Sequence, residues 1–453
     1  MEQVWAETAL TPAGWQQEVL VTVDNGRIAS VTPNTAPQGT RVRCLLPAPA
    51  NAHSHAFQRA MAGLTERRGP NPRDTFWTWR QLMFRFLDRI TPDQVQAIAA
   101  FVQMEMLEAG YATNVEFHYL HHQPGGVPYS RLSELSDRIA AAADLSGIGL
   151  TLLPVFYQIG GLDRRGLTSG QQRFGNDPDR FARLAEDARK RIGEGPADWC
   201  FGIAPHSLRA APPEGIRQVT QLAPDGPIHM HLAEQKAEVE EVLAATGKRP
   251  VEWVLDILVP DHRWHFIHCT QMEPHETEGL ARSGATAVLC PLTEASLGDG
   301  IFDGIRWMDA GGRIAIGSDS NIRISLAEEL RQLDTSQRLR DHSRAALATP
   351  EHSTGRRLFD AVNFGGAGAA GRQTGALAPG TWADMLSLDT THPDLDGMTG
   401  DTILDSYIFA GDDRMVRDVW SAGRHMVQAG RHVQRGAIEA AYRVAVKELR
   451  AAT

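Results

Sequence analysis

The 453-residue sequence predicts an α/β protein, a (β/α)8 TIM-like barrel carrying a small β-sandwich formed by both chain ends. Three observations carry that expectation. Apolar, strand-like runs recur eight times through the middle of the chain, with helical patterns between most of them. Strand-like segments without intervening helices stand at both ends. Histidines and an aspartate stand where several of the middle strands stop, which is where barrels of this kind keep their chemistry.

The elements follow in order. Val19–Val23 and Arg27–Val31 flank Asp24-Asn25-Gly26, and Asn-Gly between two strand-like runs signals a hairpin. Cys44–Ala52 is the first barrel strand. Thr113–Phe117, Gly149–Val155, Cys200–Ile203, Pro227–Leu232, His265–His268, Ala285–Cys290 and Arg313–Ile316 are the other seven. Helical patterns cover Pro92–Ala109, Ser133–Ala143, Pro178–Ile192, Pro213–Leu222, Lys236–Ala245, Pro274–Arg282 and Leu326–Leu339. The first of these has Thr91 as N-cap and Gly110 as its stop. Strands return at Asp384–Leu388, Val416–Trp420 and His425–Gln428, the last two around Ala422-Gly423, and Ala437–Ala452 is helical. Residues 1–47 with 372–432 are therefore expected to form the β-sandwich, 48–371 the barrel and 433–453 a C-terminal helix.

Composition narrows the function. Hydrophobic residues make up 42% and charged residues 22%, the balance of an ordinary globular protein. Net charge is −10 without a long basic block, which disfavours nucleic acid, and an anionic substrate would need locally placed arginines. No apolar run approaches the ~20 residues of a membrane helix. Met1–Trp5 lacks a basic start leading into an apolar core, so no secretory signal is expected. The four cysteines stand singly in apolar runs, as reduced thiols of a cytoplasmic protein do.

The strand ends carry the chemistry. The first ends in His53-Ser54-His55, and residues two apart on a strand share a face. The fifth ends in His229-Met230-His231-Leu232-Ala233-Glu234, the sixth in His268, and the eighth in Gly317-Ser318-Asp319-Ser320. Three histidines and an aspartate suit zinc with one position left for water, and iron(II) fits similar ligands. His229 and His231 share a face, which makes them rivals for one ligand position.

These residues resemble the amidohydrolase superfamily, in which HxH ends strand one, histidines end strands five and six, and an aspartate ends strand eight. The resemblance covers nearly the whole chain. Strand four, Ile203-Ala204-Pro205-His206, ends without the lysine that would bridge two metals. The chain is similar to the mononuclear-metal deaminase branch, where strand five ends in His-x-x-Glu, as in His231–Glu234. That resemblance implies one divalent ion per subunit held by His53, His55, His231 and Asp319. Zinc would lower the pKa of its water toward ~7 and yield hydroxide. Asp319 would also accept the water proton. Glu234 would protonate the substrate nitrogen and then the leaving amine, and His268 would orient the hydroxide or stabilise the oxyanion.

Further runs resemble the formimidoylglutamate deiminases of histidine degradation. They are His53–Gly63, Phe76-Trp-Thr-Trp-Arg80, Glu116–Tyr119, His206–Ala210, Thr293–Gly300 and Gly317–Ser320. The implied substrate is the dicarboxylate N-formimino-L-glutamate, hydrolysed to N-formyl-L-glutamate and ammonia by a homodimer. Arg80 and Arg209 can make forked pairs with its carboxylates, and Gln58, Tyr119 and His206 can add hydrogen bonds. The blander alternatives are stacking of Arg80 on Trp77 and Trp79 at the surface, and a solvated loop charge for Arg209. His121-His122 is expected at the surface. Glu294 and Asp299 fall in a family-like loop without an assigned role. A deaminase of guanine or a related heterocycle would need aromatic or amide contacts rather than two arginines. A non-catalytic scaffold would be expected to have lost metal ligands, and all four stand here.

Overall fold

The chain opens in β-structure and returns to it at the end, and the two halves hydrogen-bond to each other. The computed structural model describes residues 1–66 and 76–452, the side chains of 76–78 and 452 excepted. Its first sheet has eight strands. Thr40–Pro47 lies in the middle, parallel to Glu2–Thr11 on one side and antiparallel to Met385–Leu388 on the other. Gly14–Asp24 and Arg27–Thr32 extend one flank, and Val416–Ser421, Arg424–Gln428 and Arg431–His432 extend the other. The Asn25-Gly26 hairpin forms as expected, with both residues in the left-handed region (φ 48° and 76°) that a two-residue turn demands. Ala422-Gly423 makes the same turn at φ 44° and 75°. The two tips touch: a Cβ on Gly26 would come within 2.8 Å of the Ala422 carbonyl oxygen. Val4, Val19, Val21, Ile28, Met385 and Trp420 form a core of their own beneath the sheet.

The chain passes from Pro47 almost directly into the barrel. Its strands are Ala50–Ser54, Thr113–His118, Gly149–Phe156, the broken pair Cys200–Phe201 and Ala204–Pro205, then Ile228–Leu232, Trp264–His268, Thr286–Leu289 and Arg313–Ile316. Strands one to four pair in parallel, as do five to eight. Parallel bridges at Ile203–Ile228 and Ser207–His231 join four to five, and Ser54–Asp319 joins eight to one, closing the ring. The barrel with an added sheet from the chain ends is thus the observed architecture. Arg372, buried against Asp198 and Asp384 at 3.0 Å each, ties the barrel to that sheet.

Helices surround the ring. Thr91 caps Pro92–Glu108 in a capping box with Gln94. Arg435–Ala452 packs on this helix through a stack of Tyr442 on Phe101 at 3.9 Å. The helix Thr354–Ala370 is absent from the sequence-based expectation, because Phe-Gly-Gly-Ala-Gly-Ala-Ala reads as a loop. Gly365 follows from where the helix lies, across the end of the barrel opposite the strand termini that carry the histidines. A Cβ on Gly365 would sit 1.9 Å from the Ile314 carbonyl oxygen. No described helix is long and apolar enough to cross a membrane.

Candidate active site

The side chains singled out at the strand ends converge at one mouth of the barrel. Three strands turn there through left-handed residues: Ala233 (φ 51°), His268 (φ 73°) and Asp319 (φ 45°). A residue with a side chain resists this conformation, and surrounding bonds impose it. Asp319 N–H donates to the His53 carbonyl and His55 N–H to the Asp319 carbonyl, both at 2.9 Å. Gln271 N–H donates to the Ala233 carbonyl, and Cys269 N–H to that of Leu232.

His53, His55 and His231 gather with Asp319 beside them. The Nε2 atoms of His53 and His231 are 3.2 Å apart, and Asp319 Oδ1 lies 3.5 Å from His53 Nε2 and 3.3 Å from His55 Nε2. His55 Nδ1 donates to the Phe117 carbonyl at 2.9 Å, and His231 Nδ1 to the His206 carbonyl at 3.1 Å. These bonds fix the tautomers and leave lone pairs on Nε2. Burial pushes His53 down to about 3 and also lowers His55 and His231, so the rings are neutral. Burial raises Asp319, but its hydrogen bond to His53 and the neighbouring imidazoles outweigh this and hold it below the usual carboxylate range. Three neutral imidazoles and a carboxylate therefore crowd together, a donor set that suits a divalent cation.

His229 is no longer a rival. Two residues deeper, its Nε2 donates to the Ala369 carbonyl of the closing helix at 2.8 Å.

His268 lies opposite the cluster, its Nε2 4.0 Å from both Glu234 Oε1 and Asp319 Oδ2. Its Nδ1 donates to Glu294 Oε1 at 3.2 Å. Burial opposes its charge, but Glu234, Glu294 and Asp319 win and raise it to about 10. Burial raises Glu234 in turn, against the pull of His268 and Arg209.

A cavity of about 90 Å³ opens over these groups. Gln58, Arg80, Tyr119, His206 and Arg209 all line it, together with His55, His231, Glu234, His268 and Asp319. Gln58 Nε2 donates to the Tyr119 hydroxyl at 2.7 Å. Arg80 Nη2 donates to the Tyr157 hydroxyl at 3.0 Å, so Arg80 turns into the cavity beside Trp79, while the Trp77 side chain lies outside the described residues. Arg209 is no solvated loop charge, its side chain being 11% exposed. His206 Nδ1 meets Ser207 Oγ at 3.1 Å.

Residues 44–426 match the amidohydrolase family, and residues 1–43 match the N-terminal domain of formimidoylglutamate deiminase HutF. Over 95% of its length the chain is 44% identical to 96% of formimidoylglutamate deiminase from Pseudomonas aeruginosa. The chain belongs to the amidohydrolase family, among its formimidoylglutamate deiminases. An amidohydrolase from Brucella melitensis superposes with a TM-score of 0.95 at 47% identity, covering 99% of this chain and 100% of that one. An adenosine deaminase from Xanthomonas campestris with bound zinc shares the fold at 22% identity and a TM-score of 0.83, over 99% of this chain and 98% of its own.

Sequence reasoning missed several residues of this amidohydrolase site. Glu294 buttresses His268, and its only signal was its place in the loop after strand seven. Glu116 accepts from Ala56 N–H at 2.7 Å, just past the HxH. Asn51, Ser54, Ser318 and Asn321 form a buried network that ties strand one to strand eight, with Asn51 Nδ2 donating to Ser318 Oγ at 2.7 Å. Tyr157 lies in a strand end that carried no recognisable pattern. The surface expected for His121-His122 is overturned, since both are buried. His121 Nε2 donates to the Val155 carbonyl at 2.9 Å and His122 Nε2 to that of Gly175 at 3.0 Å, so both rings brace loops rather than meet water.

Proposed function

We propose that this amidohydrolase hydrolyses N-formimino-L-glutamate to N-formyl-L-glutamate and ammonia, using one zinc ion per subunit. The observation that carries the reading is the meeting of two arginines with an acid–base set in one cavity of a protein whose net charge is −10. Arg80 and Arg209 suit two carboxylates, whereas a flat heterocycle has little need of two guanidiniums. The Pseudomonas relative bears the name of this activity.

His53, His55, His231 and Asp319 would hold the ion. When bound, it supplies Lewis acidity that brings the pKa of water toward ~7. Gln58, Tyr119, His206 and the two arginines hold the glutamate portion and fix where the formimino carbon lies. A water oxygen bonds to that carbon, and Asp319 or Glu234 takes the proton released. Glu234, raised by burial, returns the proton to the formimino nitrogen. Asp319 takes the second proton from the added oxygen and Glu234 passes it to the amine, so that the C–N bond breaks as the formyl carbonyl forms and ammonia leaves. His268, charged at neutral pH, stabilises the negative charge that develops on oxygen.

The three-imidazole, one-carboxylate donor set suits zinc, and iron(II) fits similar ligands. The four free cysteines support a reducing, cytoplasmic setting. Homodimerisation rests on the family resemblance and is checked by sedimentation. The decisive assay is ammonia release from N-formimino-L-glutamate, with guanine and N-formimino-L-aspartate as controls. The glutamate compound is expected to be turned over fastest by far. Turnover of guanine instead, or none of the glutamate compound with zinc or iron(II) supplied, overturns the proposal.

A further inference from the structure

Glu238 is a carboxylate without an assigned part in the chemistry. It stands in the first turn of the helix Lys236–Thr246, directly after strand five, and is fully buried. A glutamate in a helix's first turn is ordinarily a solvated residue facing the dipole. This one folds back instead. Its Oε1 accepts from Ala233 N–H at 3.2 Å and its Oε2 from Glu234 N–H at 3.0 Å. Both carboxylate oxygens thus hold the backbone of the turn that presents Glu234, including the left-handed Ala233 at φ 51°. Thr270 Oγ1 holds the same turn from the other side, donating to the Glu234 carbonyl at 2.8 Å.

The same carboxylate also faces Arg209. Arg209 Nη2 lies 3.9 Å from Glu238 Oε2 and 3.8 Å from Glu234 Oε2. One guanidinium therefore bridges two buried carboxylates, one bordering the cavity and one behind its wall, since Glu238 is not among the cavity-lining residues. Two buried carboxylates this close to each other would repel without the cation between them. Moving any one of the three moves the balance on the other two.

We propose that Glu238 is a positioning residue that fixes the distance between the proton-carrying end of the site, Glu234, and the carboxylate-binding end, Arg209, and so sets the substrate length the site accepts. The inference rests on the proposed function for the identity of the substrate. Glu238 acts through its neighbours and touches no reacting atom. With the distance held, a substrate one methylene shorter cannot place its formimino carbon and its carboxylate at both ends at once. With it released, the site loses rate on the right substrate and discriminates less against the wrong one.

The test compares E238Q with wild type on N-formimino-L-glutamate and N-formimino-L-aspartate, using zinc-loaded full-length protein. Glutamine is isosteric, but it turns an NH2 toward one of the two backbone N–H donors and removes the charge opposite Arg209. The expected result is a fall on the order of 10–100-fold in kcat/KM for the glutamate compound, as for other residues that hold a catalytic group in place. The fall for the aspartate compound is smaller, so that the ratio between the two substrates drops about tenfold, while zinc content stays at one per chain. In an R209M background the same substitution leaves the ratio unchanged, because the partner through which it acts is gone. If E238Q does not fold, E238D, which keeps the charge and withdraws it by one methylene, is compared in the same way and shows the same direction of change. Equal losses on both substrates, or an undiminished change of the ratio in the R209M background, overturn the proposal and reduce Glu238 to a structural brace. Wild-type protein inactive on both compounds overturns the functional reading itself, which separates the two failures.

Discussion

Replacing Glu294 with glutamine tests the charge assigned to His268. The carboxylate lies 3.2 Å from His268 Nδ1, with side-chain exposures of 5% and 2%. Glutamine keeps the shape, and its carbonyl oxygen can still accept from Cys290 N–H, which Glu294 Oε1 does at 2.8 Å. What is lost is the negative charge. His268 stands at about 10 instead of 6.5, and Glu294 is one of three carboxylates responsible, acting by both its hydrogen bond and its charge beside Glu234 and Asp319. Removing one of three leaves the imidazolium supported but weaker, a loss of roughly 1.4–2.8 kcal/mol at the transition state, or about 10–100-fold in kcat. Glu294 does not border the cavity, so KM is expected to stay within about threefold. Its side chain bonds to His268 and to Cys290 N–H rather than to the residues proposed to hold the ion, so metal content is expected to hold. The pH dependence supplies the sign. His268 is charged below its pKa, and losing a carboxylate lowers that pKa, so the alkaline fall of kcat moves to lower pH in E294Q. Steady-state ammonia release between pH 6 and 10, with zinc measured on the same samples, checks all of this. A variant with unchanged kcat across that range, or one that loses zinc, would refute the argument.

R80M and R209M remove one guanidinium each from the cavity, and each is expected to lower kcat/KM for N-formimino-L-glutamate by about 2–4 kcal/mol, some 30- to 1000-fold; undiminished turnover would remove the arginines from substrate binding. Asp413 concerns stability. Burial raises it to about 7, against the pull of Ser325 and Arg323, and its side chain is 18% exposed. A carboxyl whose folded pKa exceeds its unfolded one stabilises below the unfolded value of 3.8 and loses that contribution as pH rises through about 7. The total is (7 − 3.8) × 1.36, or ~4 kcal/mol. D413N should therefore melt progressively higher than wild type as pH rises from 5 to 8, and a difference independent of pH would count against the assignment. G365A drives a Cβ to within 1.9 Å of the Ile314 carbonyl oxygen, so the closing helix must shift; a fall of several degrees in Tm is expected, and an unchanged Tm would mean that the helix moves freely.

Periodicity made the eight barrel strands legible, because a buried parallel strand is a continuous apolar run and a hairpin tip is Asn-Gly. The closing helix was illegible for the same kind of reason. Gly365 is dictated by its contact with the Ile314 carbonyl, a tertiary demand that local propensity does not register. The ends of strands one, five, six and eight were legible because a metal needs several ligands at once, and their recurrence at strand ends is improbable by accident. Which of His229 and His231 faces the cluster was decided by depth in the barrel. Both share a face of one strand, and only the structure shows that His229 meets the Ala369 carbonyl.

The least legible feature is also the one on which the chemistry turns. Four histidines crowd the metal-binding end of this site, and the rings of His231 and His268 lie nearly parallel with centroids 5.5 Å apart. They nevertheless belong to two protonation classes. His55 and His231 each give Nδ1–H to a backbone carbonyl, which fixes the tautomer without adding charge, and burial then keeps the ring neutral. His268 gives its Nδ1–H to Glu294 and has Glu234 and Asp319 within 4.0 Å, so the same burial is outweighed and the ring is charged. A neutral imidazole offers a lone pair to a cation, and an imidazolium repels one while attracting an oxyanion. The division of labour among identical side chains is thus written in what lies behind each ring. Phe117, His206 and Glu294 supply those partners from three other strand ends, at sequence separations of 62, 25 and 26 residues. No motif spans such distances, and only the closed barrel brings them together.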